Sequence, residues 1–180
     1  MGAGRTGPAV ADAGPLIHLN EIGRLSLLRA FSVVHIPDAV WAEAVESQRV
    51  VPVDVERATS IQRHSLDAET VSRFVHEQGL EALHHGEREC LHLCRQLNVP
   101  LLLTDDLAVR DVAKRIGITP VGSLGVVVRA YYLGEISIGD AELSLASLYD
   151  VSSLFVTRAI VDAAVQQLRD HAHKDPSPEP

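Results

Sequence analysis

Cysteine is scarce, two thiols in 180 residues, and aromatic side chains make up only 4%. Cys90 and Cys94 lie one helical turn apart, a spacing that suits two reduced thiols and provides neither a disulfide framework nor a four-ligand zinc site. Long apolar runs are missing too. None approaches the ~18 residues of a membrane helix, and no apolar stretch of a secretion signal follows Met1 to Gly7. The expectation is a cytoplasmic protein with no membrane contact. Positive charge is short: 16 Lys and Arg stand against 24 Asp and Glu, for a net charge of −8 and a pI near 5.5. That balance argues against a simple nucleic-acid binder with a broad basic surface. What is plentiful is apolar material, 46% of residues, enough at this length to bury roughly 70% of the unfolded surface in one core.

The apolar residues alternate between two periods. Residues 9–12 read as a short buried strand halted by Ala13-Gly14-Pro15, followed by a helix that Gly23 breaks into two pieces. Residues 31–36 form the second strand, and a helix then runs to about Glu46 with Pro37 in its first turn and Asp38 as cap. Residues 50–65 fit either an edge strand or a loop. Helices follow at 67–78, stopped by Gly79, and at 86–97. The unbroken apolar run 99–104 reads as a buried parallel strand ending in Asp105-Asp106. A helix at 107–116, a strand at 119–121 and a helix at 124–133 complete the alternation. Strand and helix in turn imply a mainly parallel sheet covered on both faces, with the strand C-termini at one edge. Beyond it, helices are expected at 140–149 and about 154–172. Their apolar residues, among them Leu145, Leu148, Phe155, Val161 and Leu168, are expected to dock on the core or on a second subunit. The organisation is a flexible N-terminus (1–7), an α/β domain (8–136), a helical extension (137–173) and a disordered tail (174–180).

Sites in open sheets of this kind form at the carboxyl edge. Asp12 ends the first strand there, and Asp105 and Asp106 end the third. Helical angles select two more acids: Glu43 borders the apolar stripe of Val40, Trp41 and Ala44, and Glu87 lies within about 40° of Leu91 and Cys94, whereas Glu89 points about 160° away. Clustered carboxylates raise one another's pKa unless a cation neutralises them. Mg²⁺ or Mn²⁺ suits such oxygen ligands, and two ions ~4 Å apart stabilise in-line displacement at a phosphodiester. That is nuclease chemistry. It also answers the acidic pI, because bound metal inverts the local field. Arg110, Lys114 and Arg115 on the following helix are candidate substrate contacts.

The segments Val10-Ala11-Asp12-Ala13-Gly14-Pro15-Leu16-Ile17, Ile36-Pro37-Asp38-Ala39-Val40-Trp41-Ala42-Glu43-Ala44, Gly86-Glu87-Arg88-Glu89-Cys90-Leu91 and Leu103-Thr104-Asp105-Asp106, in that order, resemble a PIN domain. The likeness continues through 107–118 and Val121-Gly122-Ser123-Leu124-Gly125 and spans about 8–136. It is closest in kind to a poorly characterised branch described as predicted nucleic-acid-binding proteins with a PIN domain, similar to VapC toxins. The resemblance implies a three-layer α/β/α sandwich and an Mg²⁺- or Mn²⁺-dependent endoribonuclease. It also implies an RNA substrate, a homodimer and a cognate antitoxin of a type II toxin–antitoxin pair. Carried across, Asp12, Glu43, Glu87 and Asp106 are the catalytic acids, with Asp12, Glu87, Asp106 and the adjacent Asp105 as metal ligands. Two departures stand out: the third acid is Glu where toxins commonly have Asp, and Ala13-Gly14 offers no hydroxyl to orient Asp12.

Plainer roles exist for the same residues. Asp12 can cap the helix after it, one of Asp105 and Asp106 is expected to cap the next, and Glu43 and Glu87 can be solvated helix residues. Tyr131 and Tyr132 can stack on RNA or pack against other elements. The competing function is a catalytically inactive PIN-like module that binds nucleic acid or protein.

Overall fold

Five strands, Ala9–Ala11 (β1), Val34–Pro37 (β2), Ile61–His64 (β3), Leu101–Leu103 (β4) and Thr119–Val121 (β5), form one all-parallel sheet in the order β3-β2-β1-β4-β5. The coordinates are a computed structural model, and the residues it describes are 7–58 and 60–174. The ends expected to be flexible, 1–7 and 174–180, lie outside this range apart from Gly7 and Lys174. The helices are Ala13–Glu21 (α1), Asp38–Trp41 (α2), Pro52–Ala58 (α3), Ala68–Gln78 (α4), His85–Leu97 (α5), Leu107–Arg115 (α6), Ser123–Tyr132 (α7), Ile138–Asp150 (α8) and Arg158–Lys174 (α9). No helix among the described residues is long and apolar enough to cross a membrane.

β1 lies at the centre with all three residues fully buried. Its Ala-Val-Ala sequence keeps the strand thin, and α5 packs over it closely enough for the Cys90 thiol to donate to the Ala11 carbonyl at 3.6 Å. α4, α5 and α6 cover this face, with Arg115 Nη2 of α6 donating to the Gln78 carbonyl at the end of α4. α1 and α7 cover the other, and α8 and α9 stack outside α7. The result is the expected α/β/α sandwich. Cys90 and Cys94 are buried and reduced, and burial pushes the Cys94 thiol up to about 12, where it is an inert core side chain.

Several boundaries differ from the sequence reading for local reasons. Residues 50–65 resolve into both α3 and an edge strand, β3, whose Ile-Gln-Arg-His sequence leaves it only partly covered. Pro37, not Asp38, occupies the cap position of α2, because the Asp38 carboxylate is drawn away to accept from Arg63 Nε and Ser65 Oγ. The expected single helix to Glu46 becomes α2 plus a wider π-type turn, Ala42–Glu46, closed by Ser47 N donating to the Ala42 carbonyl at 3.1 Å. Such turns re-aim the side chains they carry. α9 starts four residues later than expected, since Ser153 is pinned in the connector by its N–H donating to Glu21 Oε2 at 2.7 Å.

The two C-terminal helices are docked, with Leu145, Leu148, Val161 and Leu168 buried, whereas Phe155, expected to dock with them, lies exposed on the connector between α8 and α9. Tyr131 and Tyr132 take the packing role: the Tyr132 ring lies 4.3 Å from that of His171, and Gln167 Nε2 donates to the Tyr132 hydroxyl at 3.0 Å.

Candidate active site

Strand order sets the location of the site. From β1 the chain steps to β2 and β3 on one side, then returns to place β4 and β5 on the other, so the direction of winding reverses between β1 and β4. In open parallel sheets, ligand sites form beyond the carboxyl ends of two such strands. The register pairs Ala11 with Leu103, and the next residue of each strand, Asp12 and Thr104, therefore face one another.

Asp12 is 8% exposed. Its Oδ1 accepts from the Ala13 N–H at 2.9 Å, and its Oδ2 accepts from the Thr104 hydroxyl at 3.2 Å. The helix-capping role and the buried-acid role are thus held by the same carboxylate. No ion pair reaches it among the described residues. Its pKa is raised to about 6, chiefly by burial and also by the charges of Glu87 and Glu43, with the two hydrogen bonds pulling down against them. A buried carboxylate pushed upward by burial and by like charges in a crevice is a candidate functional group.

The missing hydroxyl beside Asp12 is supplied from across the sheet. Thr104 is fully buried, donates to Asp12 and also accepts from the Asp106 N–H at 3.4 Å. Sequence reasoning looked for this hydroxyl next to Asp12 in the chain and missed it; the signal was the pairing of β1 with β4. Thr104→Val, nearly isosteric, is expected to keep the fold while raising the Asp12 pKa further. The check is a pH–rate profile, whose acid limb should move to higher pH with a roughly tenfold lower plateau, consistent with the loss of one hydrogen bond to a charged group.

Glu87 sits in the first turn of α5, where its Oε2 accepts from the His84 N–H at 2.7 Å. One oxygen holds the helix start and the other has no hydrogen-bond partner among the described residues. Glu43, expected to face inward, is exposed instead because the π-type turn carries it outward. Its carboxylate reaches Gly86, where an added Cβ would stand 3.7 Å from Oε2, and it still acts on the Asp12 charge.

Asp105 and Asp106 separate cleanly. Asp105 Oδ2 accepts from His18 Nδ1 at 2.8 Å and from the Ser123 hydroxyl at 2.6 Å, and Oδ1 accepts from the Ser123 N–H at 2.7 Å. Both oxygens are committed to tying α1 and α7 to the end of β4. Asp106 is exposed, and only its Oδ1 is engaged, capping α6 through the Val109 N–H at 2.9 Å. Arg110 stays near the edge, donating to the Thr104 carbonyl at 3.2 Å. Lys114 and Arg115 do not join it: α6 runs back across the sheet, so eight residues carry Lys114 about 12 Å along the helix from Asp106.

Glu89, read as pointing away, is 9% exposed. α5 is enclosed by α2 as well as by the sheet, and Glu89 Oε2 accepts from the Ala39 N–H at 3.3 Å. It lines an open cleft of about 880 Å³ with Glu43, Gly86, His84, His85 and Arg63. No signal in the sequence distinguishes this second buried face.

A PIN domain family model matches residues 8–170. The chain belongs to the PIN domain family. No curated protein and no solved structure matches it. The match continues past residue 136 through α8 and into α9. PIN domains are generally nucleases and typically use divalent metals. The donor set of this PIN domain fits such an ion by its chemistry: among the described residues no cation pairs with Asp12, and Glu87 and Glu43 share its negative field. Among the described residues no three acidic, His or Cys side chains stand close enough to enclose a metal. One or two carboxylates with water completing the shell is how Mg²⁺ is commonly held.

Proposed function

We propose that this PIN domain is a metal-dependent endoribonuclease with its reactive centre at the β1–β4 crevice. The observation that carries the reading is the buried, cation-free Asp12 carboxylate, pushed up to about 6 by burial and by Glu87 and Glu43. Asp12 and Glu87 would hold Mg²⁺ or Mn²⁺, with Glu43 adding to the same negative field and Asp106, which has one uncommitted oxygen, as a further candidate ligand. Bound there, the ion supplies charge neutralisation and an activated water for in-line attack on a phosphodiester. The protein's own contribution is positional. Thr104 and the Ala13 N–H fix the Asp12 rotamer, the His84 N–H fixes Glu87, and burial keeps bulk water from screening Asp12. The cleft between α2 and α5, with Arg63, His84 and His85 on its rim, would carry the RNA strand past these acids.

The test is cleavage of structured and single-stranded RNAs with Mn²⁺, Mg²⁺ or EDTA, using wild type and Glu87→Gln. The expected result is cleavage that requires metal and falls at least a hundredfold in the variant, together with a metal-dependent rise in melting temperature, since an ion bound only to the folded state stabilises it. A folded wild type that neither cleaves RNA nor binds Mn²⁺ by calorimetry would instead mark a binding module.

A further inference from the structure

A second surface lies on the other side of the sheet edge, and the nuclease reading leaves it unused. α6, α7 and the connector between α8 and α9 enclose a groove of about 670 Å³. Its walls are mainly aliphatic, with Val121 and Leu124 at the base, Leu107 and Ile160 on the rim and the Tyr132 and Phe155 rings beside them. Phe155, on the connector, is 98% exposed, and Leu107 and Ile160 are 77% and 55% exposed. Contiguous exposed apolar surface rimmed by polar groups marks an interaction site.

The charged groups in this groove are two arginines and Asp105, whose oxygens are taken up by His18 and Ser123. Arg110 and Arg129 both open into it, and neither forms an ion pair among the described residues. Arg110 meets only the Thr104 carbonyl, while Arg129 lies over the Phe31 ring at 5.6 Å, and its buried Nε has no hydrogen-bond partner. Two uncompensated guanidiniums in an apolar groove, on a chain of net charge −8, form a local complement to carboxylates.

We propose that this groove docks an acidic amphipathic segment of another protein, apolar side chains filling the aliphatic trough and Asp or Glu meeting Arg110 and Arg129. A volume of this size takes several side chains of a peptide, and an amphipathic helix is read in such grooves through anchors at i, i+3 or i+4, and i+7. A second copy of the same face is disfavoured, because an isologous contact would bring Arg110 and Arg129 against their own equivalents. Nucleic acid fits less well, since its sites are strongly cationic, whereas this groove sets two arginines beside a carboxylate in a mostly aliphatic lining.

The experiment is a random-peptide selection on the folded full chain, counter-selected on Phe155→Ser with Leu107→Ser. Both positions are solvent-facing, so the fold is retained, and thermal melts check this. Enriched peptides are then measured by fluorescence anisotropy beside twins with each Glu or Asp changed to Lys. The expected result is enrichment of apolar anchors at helical spacing interleaved with acids, with at least tenfold weaker binding for the Lys twins and for the double variant. Four results would overturn the proposal: enrichment without acidic residues, equal binding of the Lys twins, competition by oligo-U RNA, or a wild-type dimer in light scattering that the double substitution abolishes.

Discussion

Asp12→Asn is expected to abolish RNA cleavage and, in metal-free buffer at neutral pH, to make the protein more stable. Folding raises the Asp12 pKa from 3.8 to about 6, chiefly by burial, so the folded state favours the protonated form more than the unfolded chain does. The stability this group contributes is therefore fully present below its unfolded pKa of 3.8 and is lost as pH rises through about 6. At pH 7.5 the loss is about 3 kcal/mol, from roughly two pKa units at 1.36 kcal/mol each. Asn carries no charge and can still cap α1 through its side-chain oxygen. Thermal melts in EDTA should place the variant roughly 5–10 °C above wild type at pH 7.5, with the difference vanishing near pH 4. Millimolar Mn²⁺ should shrink the gap from the other direction by stabilising wild type alone. A variant less stable than wild type at pH 7.5 would remove the charge cluster as the basis of the site.

The adjacent acids should part just as sharply. Asp105→Ala strands the His18 imidazole and both donors of Ser123, and three lost hydrogen bonds at a largely buried position cost about 2–4 kcal/mol. The melting temperature should fall by roughly 5–15 °C, while cleavage per folded molecule at low temperature stays within a few-fold of wild type. Asp106→Asn should do the reverse, since Asn is an equally good helix cap: an unchanged melt and a rate at least tenfold lower. Equal loss of rate in both, with equal melts, would contradict the division of labour drawn from their hydrogen bonds.

The sequence places acids at strand ends because an apolar run that stops at an Asp is visible without any partner. Asp12, Asp105 and Asp106 are legible for that reason. What a residue does once there depends on its neighbours in space. Asp105 and Asp106 are chemically the same in the chain, and only the position of His18 and Ser123 makes one a tie and leaves the other open. Thr104 closes an apolar run and looks like its polar end, yet the β1–β4 pairing turns it into the hydroxyl that steadies Asp12. Glu43 and Glu89 were assigned by ideal helical angles. Glu43 is exposed where the backbone widens at Ala42–Glu46, yet its charge still acts on Asp12, and Glu89 is buried because α5 has two covered sides. β3 escapes pattern reading since an edge strand of Gln, Arg and His has no alternation to display.

The 92-residue separation between Asp12 and Thr104 also governs when a working centre can exist. Pairing β1 with β4 closes a long loop, and contacts of that separation are repaid late in folding. Glu87 and Thr104 leave the ribosome after the first half of the domain has been made, so a nascent or truncated chain ending before β4 carries Asp12 on an incomplete edge. The Asp12 site is in this way tied to synthesis through β4, and fragments ending before it are expected to lack any activity the site confers.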